Sequence, residues 1–175
     1  FKSPVFLGSS FAFLAGYFTV VAQGAEFDRC VNLGTVTVSG SGDRAFGAGG
    51  CTFYRLVLAK TGGTLAMSGS LTAVEVVAKD LAAAFAVSFA SGASWTVERL
   101  LLDGAIEDAP GLALGGGAWT LAVTQLQQVK GVMAENSTAT RKKIWAQPPY
   151  ADNGGNVNWG FETTGAKRWT GGVNS

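Results

Sequence analysis

Glycine cuts this chain into short apolar runs, and that punctuation limits its fold more than any motif does. The 25 glycines among 175 residues separate runs of about four to eight residues rich in Val, Leu, Thr, Phe and Trp, the make-up of strands bounded by turns. Only Lys79–Ala86 has helix-like content, and it is shorter than the roughly ten to twelve residues that mark an ordinary helix. The absence of helical stretches between the strands argues against a βαβ sheet. The chain reads as all-β.

About ten strands are legible. Thr35–Val38 alternates polar and apolar before Ser39-Gly40-Ser41-Gly42, and Phe53–Ala59 ends at the turn Lys60-Thr61-Gly62-Gly63. Thr64–Met67, Leu71–Val77, Phe85–Phe89, Trp95–Leu102, Trp119–Val123 and Leu126–Met133 follow. Such a series suits either a sandwich or barrel of hairpins or a solenoid of stacked rungs. Hairpin dipeptides are scarce, Asp103-Gly104 and Asn153-Gly154 being the clear type I′ candidates. A loose repeat favours the solenoid. Short Leu/Val runs begin at Leu56, Val74, Leu100 and Val129, 18, 26 and 29 residues apart, and Trp-Thr opens strands at Trp95 and Trp119. Such periods, with loops of varying length, fit stacked rungs. Three parts are predicted: an N-terminal strand arm over 1–26, a parallel β-solenoid over 27–161 and a C-terminal tail over 162–175.

Composition narrows the chemistry. Histidine is absent, which removes the commonest general base and, with it, Ser-His-Asp, Cys-His and His-based zinc sites. Two cysteines without a CxxC pair do not build a structural zinc site. Charged residues are 14% and hydrophobics 47%, the reverse of a disordered composition. A net charge of +1 gives no bias towards nucleic acid or anionic membrane. Cys30 and Cys51 lie 21 positions apart, close to one rung. Stacked on adjacent rungs, about 4.8 Å apart, they form either a disulfide clip or two small buried thiols.

Phe1 to Glu26 holds Lys2, an apolar run from Phe11 to Ala22 and the small-residue stretch Ala22-Gln23-Gly24, features of a secretory leader. The run is too short to span a bilayer as a helix. Its content (Phe11, Phe13, Tyr17, Phe18, Val20, Val21), broken by Gly16, suits one or two strands instead. They would form an arm that completes a neighbour's sheet.

The stretch from Thr52 to Phe161 resembles repeat-rich β-solenoid domains of phage virion proteins and bacterial secreted or surface proteins. Three features carry the likeness. Phe53-Tyr54-Arg55-Leu56-Val57-Leu58 followed by Thr61-Gly62-Gly63-Thr64-Leu65 is similar to their rungs. Trp95 to Gly104 leads through Pro110-Gly111 to Trp119-Thr120-Leu121. The close, Asp152-Asn153-Gly154-Gly155-Asn156-Val157-Asn158-Trp159-Gly160-Phe161, is similar to the segment that caps their last rung. The resemblance implies a right-handed parallel β-helix-like fold, a virion or extracellular setting and no catalysis. The first fifty residues and the tail after Phe161 depart from it.

Candidate site residues are few. Glu75, Glu98 and Asp103 lie in or beside strands and Glu107-Asp108 in a loop. A glycosidase needs two carboxyls facing one cleft, and these five read as solvated charges. Arg141, Lys142 and Lys143 with Trp145, and Lys167 and Arg168 with Trp169, mix cations with aromatics, which suits an acidic partner, a glycan or a nucleic acid. The first group reads as a solvated loop with a tryptophan cap, the second as an inter-subunit contact. Asp152, Asn153, Asn156 and Asn158 read as turn residues rather than calcium ligands. Asn136-Ser137-Thr138 is a formal glycosylation acceptor, and Gly115-Gly116-Gly117 is a loop. The expectation is a non-enzymatic structural protein of a phage virion, a capsid decoration, fibre or tail component. It would have no cofactor, metal, nucleic-acid partner or membrane span, and would assemble with itself or other virion proteins through its terminal segments. The alternative is a bacterial secreted or cell-surface module that binds glycans or forms a surface layer.

Overall fold

A computed structural model describes residues 33–161, with side chains from Gly34 onward, and the backbone of strands at 5–7, 10–14, 17–22 and 24–26. Cys30, Lys167, Arg168 and Trp169 lie outside the described residues. Those residues hold eighteen strands and no helix. The strands are β1 (Val5–Leu7), β2 (Ser10–Leu14), β3 (Tyr17–Ala22), β4 (Gly24–Glu26), β5 (Leu33–Gly40), β6 (Arg44–Gly47), β7 (Cys51–Lys60), β8 (Thr64–Ser68) and β9 (Ser70–Ala78). There follow β10 (Phe85–Phe89), β11 (Ser94–Asp103), β12 (Ala105–Ile106), β13 (Ala109–Pro110), β14 (Leu112–Gly116), β15 (Trp119–Ala134), β16 (Ser137–Ala139), β17 (Ile144–Asp152) and β18 (Trp159–Phe161).

Sixteen strands make one sheet, and β12 with β13 makes a separate pair. The large sheet has two arms, β3-β5-β7-β9-β11 and β4-β6-β8-β10-β14, which meet at β15. The chain visits the arms alternately, so each strand lies parallel on the one laid down a pass earlier. Arg55 pairs with Thr35, Glu75 with Arg55 and Arg99 with Glu75. β15 serves both arms, Thr120–Lys130 on β11 and Val132–Ala134 on β14. β16 and β17 lie on its two halves, and β18 lies on β17.

Side-chain alternation decides what is buried. In β7, Cys51 and Phe53 point inward, Tyr54 and Arg55 both point out, and Leu56 and Leu58 point in again. Register then stacks like positions. Cys51, Leu71, Trp95 and Leu121 form one buried column on the first arm; Leu65, Val87, Leu114 and Ala134 form another on the second. The sheet curls so that both arms share a single core. Across it, Phe89 stacks on Trp119 with ring centroids 3.9 Å apart and meets Trp95 edge-on at 5.0 Å. Each such ring contributes about 1.5–3 kcal/mol by leaving water. The Trp119 indole donates to the Glu135 carbonyl at 3.1 Å, so its polar atom is satisfied.

Several expectations are corrected. Strands outnumber the predicted ten because Arg44–Gly47, Leu112–Gly116 and Ser137–Ala139 each offer too few inward residues to stand out. Lys79 to Ala84 is a loop, and Phe85 and Ala86 begin β10. Asp103-Gly104 and Asn153-Gly154 do not close hairpins: the turn between β12 and β13 is Glu107-Asp108, and β17 pairs with β18 in parallel. The backbone of the N-terminal arm pairs within its own chain. β2 lies antiparallel on β3, with Phe11 opposite Val20, Phe13 opposite Phe18 and Leu14 opposite Tyr17, and β1 lies antiparallel on β4. Among the described residues no helix is long and apolar enough to cross a membrane.

Candidate functional site

A departure from regular stacking builds a surface groove. Ala86 pairs with Thr64, 22 positions back, whereas Leu112 pairs with Phe85, 27 back. The surplus is pushed outward as the antiparallel pair β12–β13, closed by Glu107-Asp108 with Glu107 at φ 53°. Its root is anchored on the sheet: Gly104 N–H donates to the Lys130 carbonyl at 2.9 Å, and Gly111 N–H to the Gly104 carbonyl at 2.7 Å. Gly131, at φ +66°, lies directly beneath, where a Cβ would collide with the Ala105 backbone nitrogen. One pass on, β17 slips in register at the cis Pro148–Pro149 peptide, two residues standing opposite Gly131.

Between hairpin and slipped strand lies an open groove of about 690 Å³, lined among others by Glu107, Asp108, Lys130, Pro149 and Tyr150. Its volume falls within the roughly 300–1,000 Å³ of ligand sites. The Lys130 ammonium sits 3.9 Å from the Asp103 carboxylate. Glu107 and Asp108 are exposed and, among the described residues, have no ion-pair partner. The lining therefore combines two carboxylates and Lys130 with apolar Pro110, Pro148 and Pro149. Two carboxylates side by side on one turn do not face each other across a scissile bond, so the arrangement suits binding rather than acid–base hydrolysis.

Glu75 and Glu98 are committed to neighbouring passes. Glu75, expected as a solvated charge, is buried. Its carboxylate takes Arg55 Nε at 2.8 Å and Arg99 Nη2 at 3.4 Å, two arginines from the passes before and after. The reason is register: outward positions 55, 75 and 99 stack, so opposite charges meet down the ladder. Among the described residues, Arg99 Nε is buried without a hydrogen-bond partner. Glu98 accepts a hydrogen bond from Gln125 at 3.0 Å.

Arg141, Lys142 and Lys143 are exposed, as expected. Lys143 Nζ lies 4.6 Å from the Trp145 ring centroid, a cation–π contact, and Lys142 donates to the Gln125 carbonyl at 2.8 Å. Trp145 does not pack as a cap; it is 46% exposed. Trp159 takes that place, buried and donating through Nε1 to Ser137 Oγ at 3.2 Å.

The Asx residues shape turns. Asp152 Oδ1 accepts from Gly154 N–H at 3.0 Å and from Asn156 Nδ2 at 2.7 Å, while Asn158 Nδ2 donates to the Ala139 carbonyl at 3.1 Å. Asn153 bonds through its backbone to Ala134. Asn136 Nδ2, the atom a glycan would modify, donates to the Gly116 carbonyl at 3.0 Å, and the next residue, Ser137, is fully buried. Cys51 is buried at the start of β7.

One residue escaped sequence reasoning. Lys60, read as part of a turn, is buried, and its ammonium donates to the Gly42 carbonyl at 2.7 Å and the Gly40 carbonyl at 3.2 Å. Burial holds its pKa below the ordinary lysine value; the Arg44 charge acts in the same direction and Asp43 opposes both. No family model, curated protein or solved structure matches the chain.

Proposed function

We propose that the chain is a right-handed parallel β-solenoid and a non-enzymatic building block of a phage virion, assembling through its terminal segments, 1–26 and 162–175. The observation that carries this reading is the stacking of a buried column through successive passes, from Val38 and Leu58 through Ala78, Leu102 and Val129 to Ala146 on β17. Such a body is rigid along its length and leaves sides and ends for neighbours. Charged side chains support it: Glu75, Glu98 and Asp103 each engage a residue of an adjacent pass. The virion setting rests only on the motifs of Thr52–Phe161 that resemble, in sequence, the rungs and closing segment of phage solenoid domains. Light scattering on the purified chain should give a defined oligomer, lost when either terminal segment is removed. A monomer at all concentrations would sink the proposal.

The second reading, a secreted or surface module that binds glycans, is favoured by half-exposed Trp145 and by the groove at Tyr150. Saturable glycan binding that disappears in Trp145→Ala or Tyr150→Ala would select it over the building block.

A further inference from the structure

We infer that the outer face of the first arm binds ice, through a regular array of hydroxyls that adsorbs to the crystal surface. This goes beyond the building-block reading and is independent of it, because the face lies on the body of the fold and not on its terminal segments. Register builds the array. Thr52, Thr72, Thr96 and Ala122 stand side by side on successive passes. Two residues earlier in each strand, Ser70, Ser94, Thr120 and Thr138 form a second rank. Thr140 extends the first rank, its N–H donating to the Leu121 carbonyl at 2.9 Å. Between the ranks, buried Leu71, Trp95 and Leu121 tie each pass to the core.

Three properties of the array fix its occupant. Spacing is the first: neighbouring passes lie about 4.8 Å apart, and alternate residues of one strand about 6.6 Å apart. The oxygens on a prism face of ordinary ice repeat at close to these two intervals. The steps along the chain are unequal, 20 residues from Thr52 to Thr72 and 24 from there to Thr96. No fixed sequence repeat makes the array, therefore; register alone aligns it. Charge is the second property. The strand segments 50–52, 70–72, 94–96, 120–122 and 138–140 hold no charged residue, and all eight hydroxyls are at least partly exposed. The charges are gathered in the column three positions on, Arg55, Glu75 and Arg99. An uncharged face meets a neutral lattice without stripping water from ions. Stiffness is the third. Six of the eight hydroxyls belong to threonine, whose branched side chain is restricted at χ1, so the array is set before ice arrives. One hydroxyl gains little by exchanging liquid water for ice, but a rigid array makes all its contacts for one loss of freedom.

The test holds fine ice crystals just below freezing in a solution of the full chain and follows their size. With the parent chain they should stop coarsening. Thr72→Lys and Thr96→Lys, each made singly at an exposed position, should raise the concentration needed to stop growth about tenfold, the scale of a few net hydrogen bonds, with melting unchanged. Ala66→Lys, exposed on the second arm, should match the parent. Crystals that coarsen in the parent as in buffer overturn the inference. Arrest that survives both threonine substitutions, or that Ala66→Lys abolishes as well, overturns it too. A parent that leaves ice alone but sediments with powdered cellulose or chitin through the same threonines gives the face to a polysaccharide instead. A change of oligomer mass in Thr96→Lys gives it to a second copy; either result overturns ice binding. The building-block reading is judged separately, by the mass of the truncated chains.

Discussion

The passes from β5 to β9 and those from β11 to β17 bury the same kind of column by different means. In the first group the register advances by 20 residues each time, Thr35 to Arg55 to Glu75. In the second it advances by 27 from Leu102 to Val129 and by 17 from there to Ala146. The inward column of Leu102, Val129 and Ala146 continues through the second group, whereas that of Leu100 stops at half-exposed Gln127. Surplus residues go outward, as the hairpin β12–β13 and as the register shift between β11 and β15. The lesson is that the core fixes only the inward positions, so length varies freely outside, and groove and half-exposed Trp145 both lie where it varies.

Two glycines offer the sharpest way to break that comparison. Gly50, in the regular half, has φ +76° and nothing within 4 Å of a built Cβ. Gly131, in the irregular half, has a similar φ but its Cβ would meet the hairpin's backbone. Gly50→Ala should cost about 1–2 kcal/mol from backbone strain alone. Gly131→Ala adds a collision with backbone that cannot rotate away, so its loss should reach about 4 kcal/mol or more. Urea unfolding of both variants measures the difference. Equal losses would mean that the hairpin is not seated on the sheet and that the groove lacks a fixed wall.

The next effect is smaller and belongs to the junction between the halves. Arg55–Glu75–Arg99 ties three passes together across the change of register. Glu75 is almost enclosed while both arginines are about two-fifths exposed, so the ladder stands between a surface pair and a buried one. Glu75→Ala should lose about 2 kcal/mol, with most of the coupling recovered in a double-mutant cycle with Arg99→Ala. A loss within a few tenths of a kcal/mol of zero would show that the columns alone hold the passes.

The same division explains how much was legible beforehand. Strands of the first arm announced themselves, because runs such as Phe53–Ala59 and Trp95–Leu102 carry several inward residues each. The repeat was visible in part: Leu56, Val76 and Leu100 are register partners, but the predicted runs at Val74 and Val129 are each offset by two residues, Val129 pairing with Leu102, because the alternation slips in β9 and again in β15. Second-arm strands such as Arg44–Gly47 were hidden by their brevity. The groove was hidden for another reason: it joins Glu107, Lys130 and Tyr150 from three passes, and only register brings them together. Glu107-Asp108 was recognised as a loop pair, but nothing local said what it would face.

Lys60 marks the regular half, where a charge is enclosed to finish a turn, and its effect is the smallest and most specific. Lys60→Met keeps the side chain's length but leaves the Gly42 carbonyl without its donor, a loss of about 1–2 kcal/mol at neutral pH. The pH dependence separates the two parts of that figure. Because burial lowers the folded pKa below 10.5, the native chain releases this proton before the unfolded chain does. Between the folded pKa and 10.5 the unfolded state binds more protons, so the parent's stability relative to Lys60→Met should rise with pH through that window and stay flat below it. Stability measured for both proteins from neutral to alkaline pH tests this, since the other titrating groups largely cancel in the difference. A difference that falls as pH rises would mean that the carbonyl contacts outweigh desolvation and that Lys60 is held as a favourable ammonium, a lock on the turn rather than a cost of closing it.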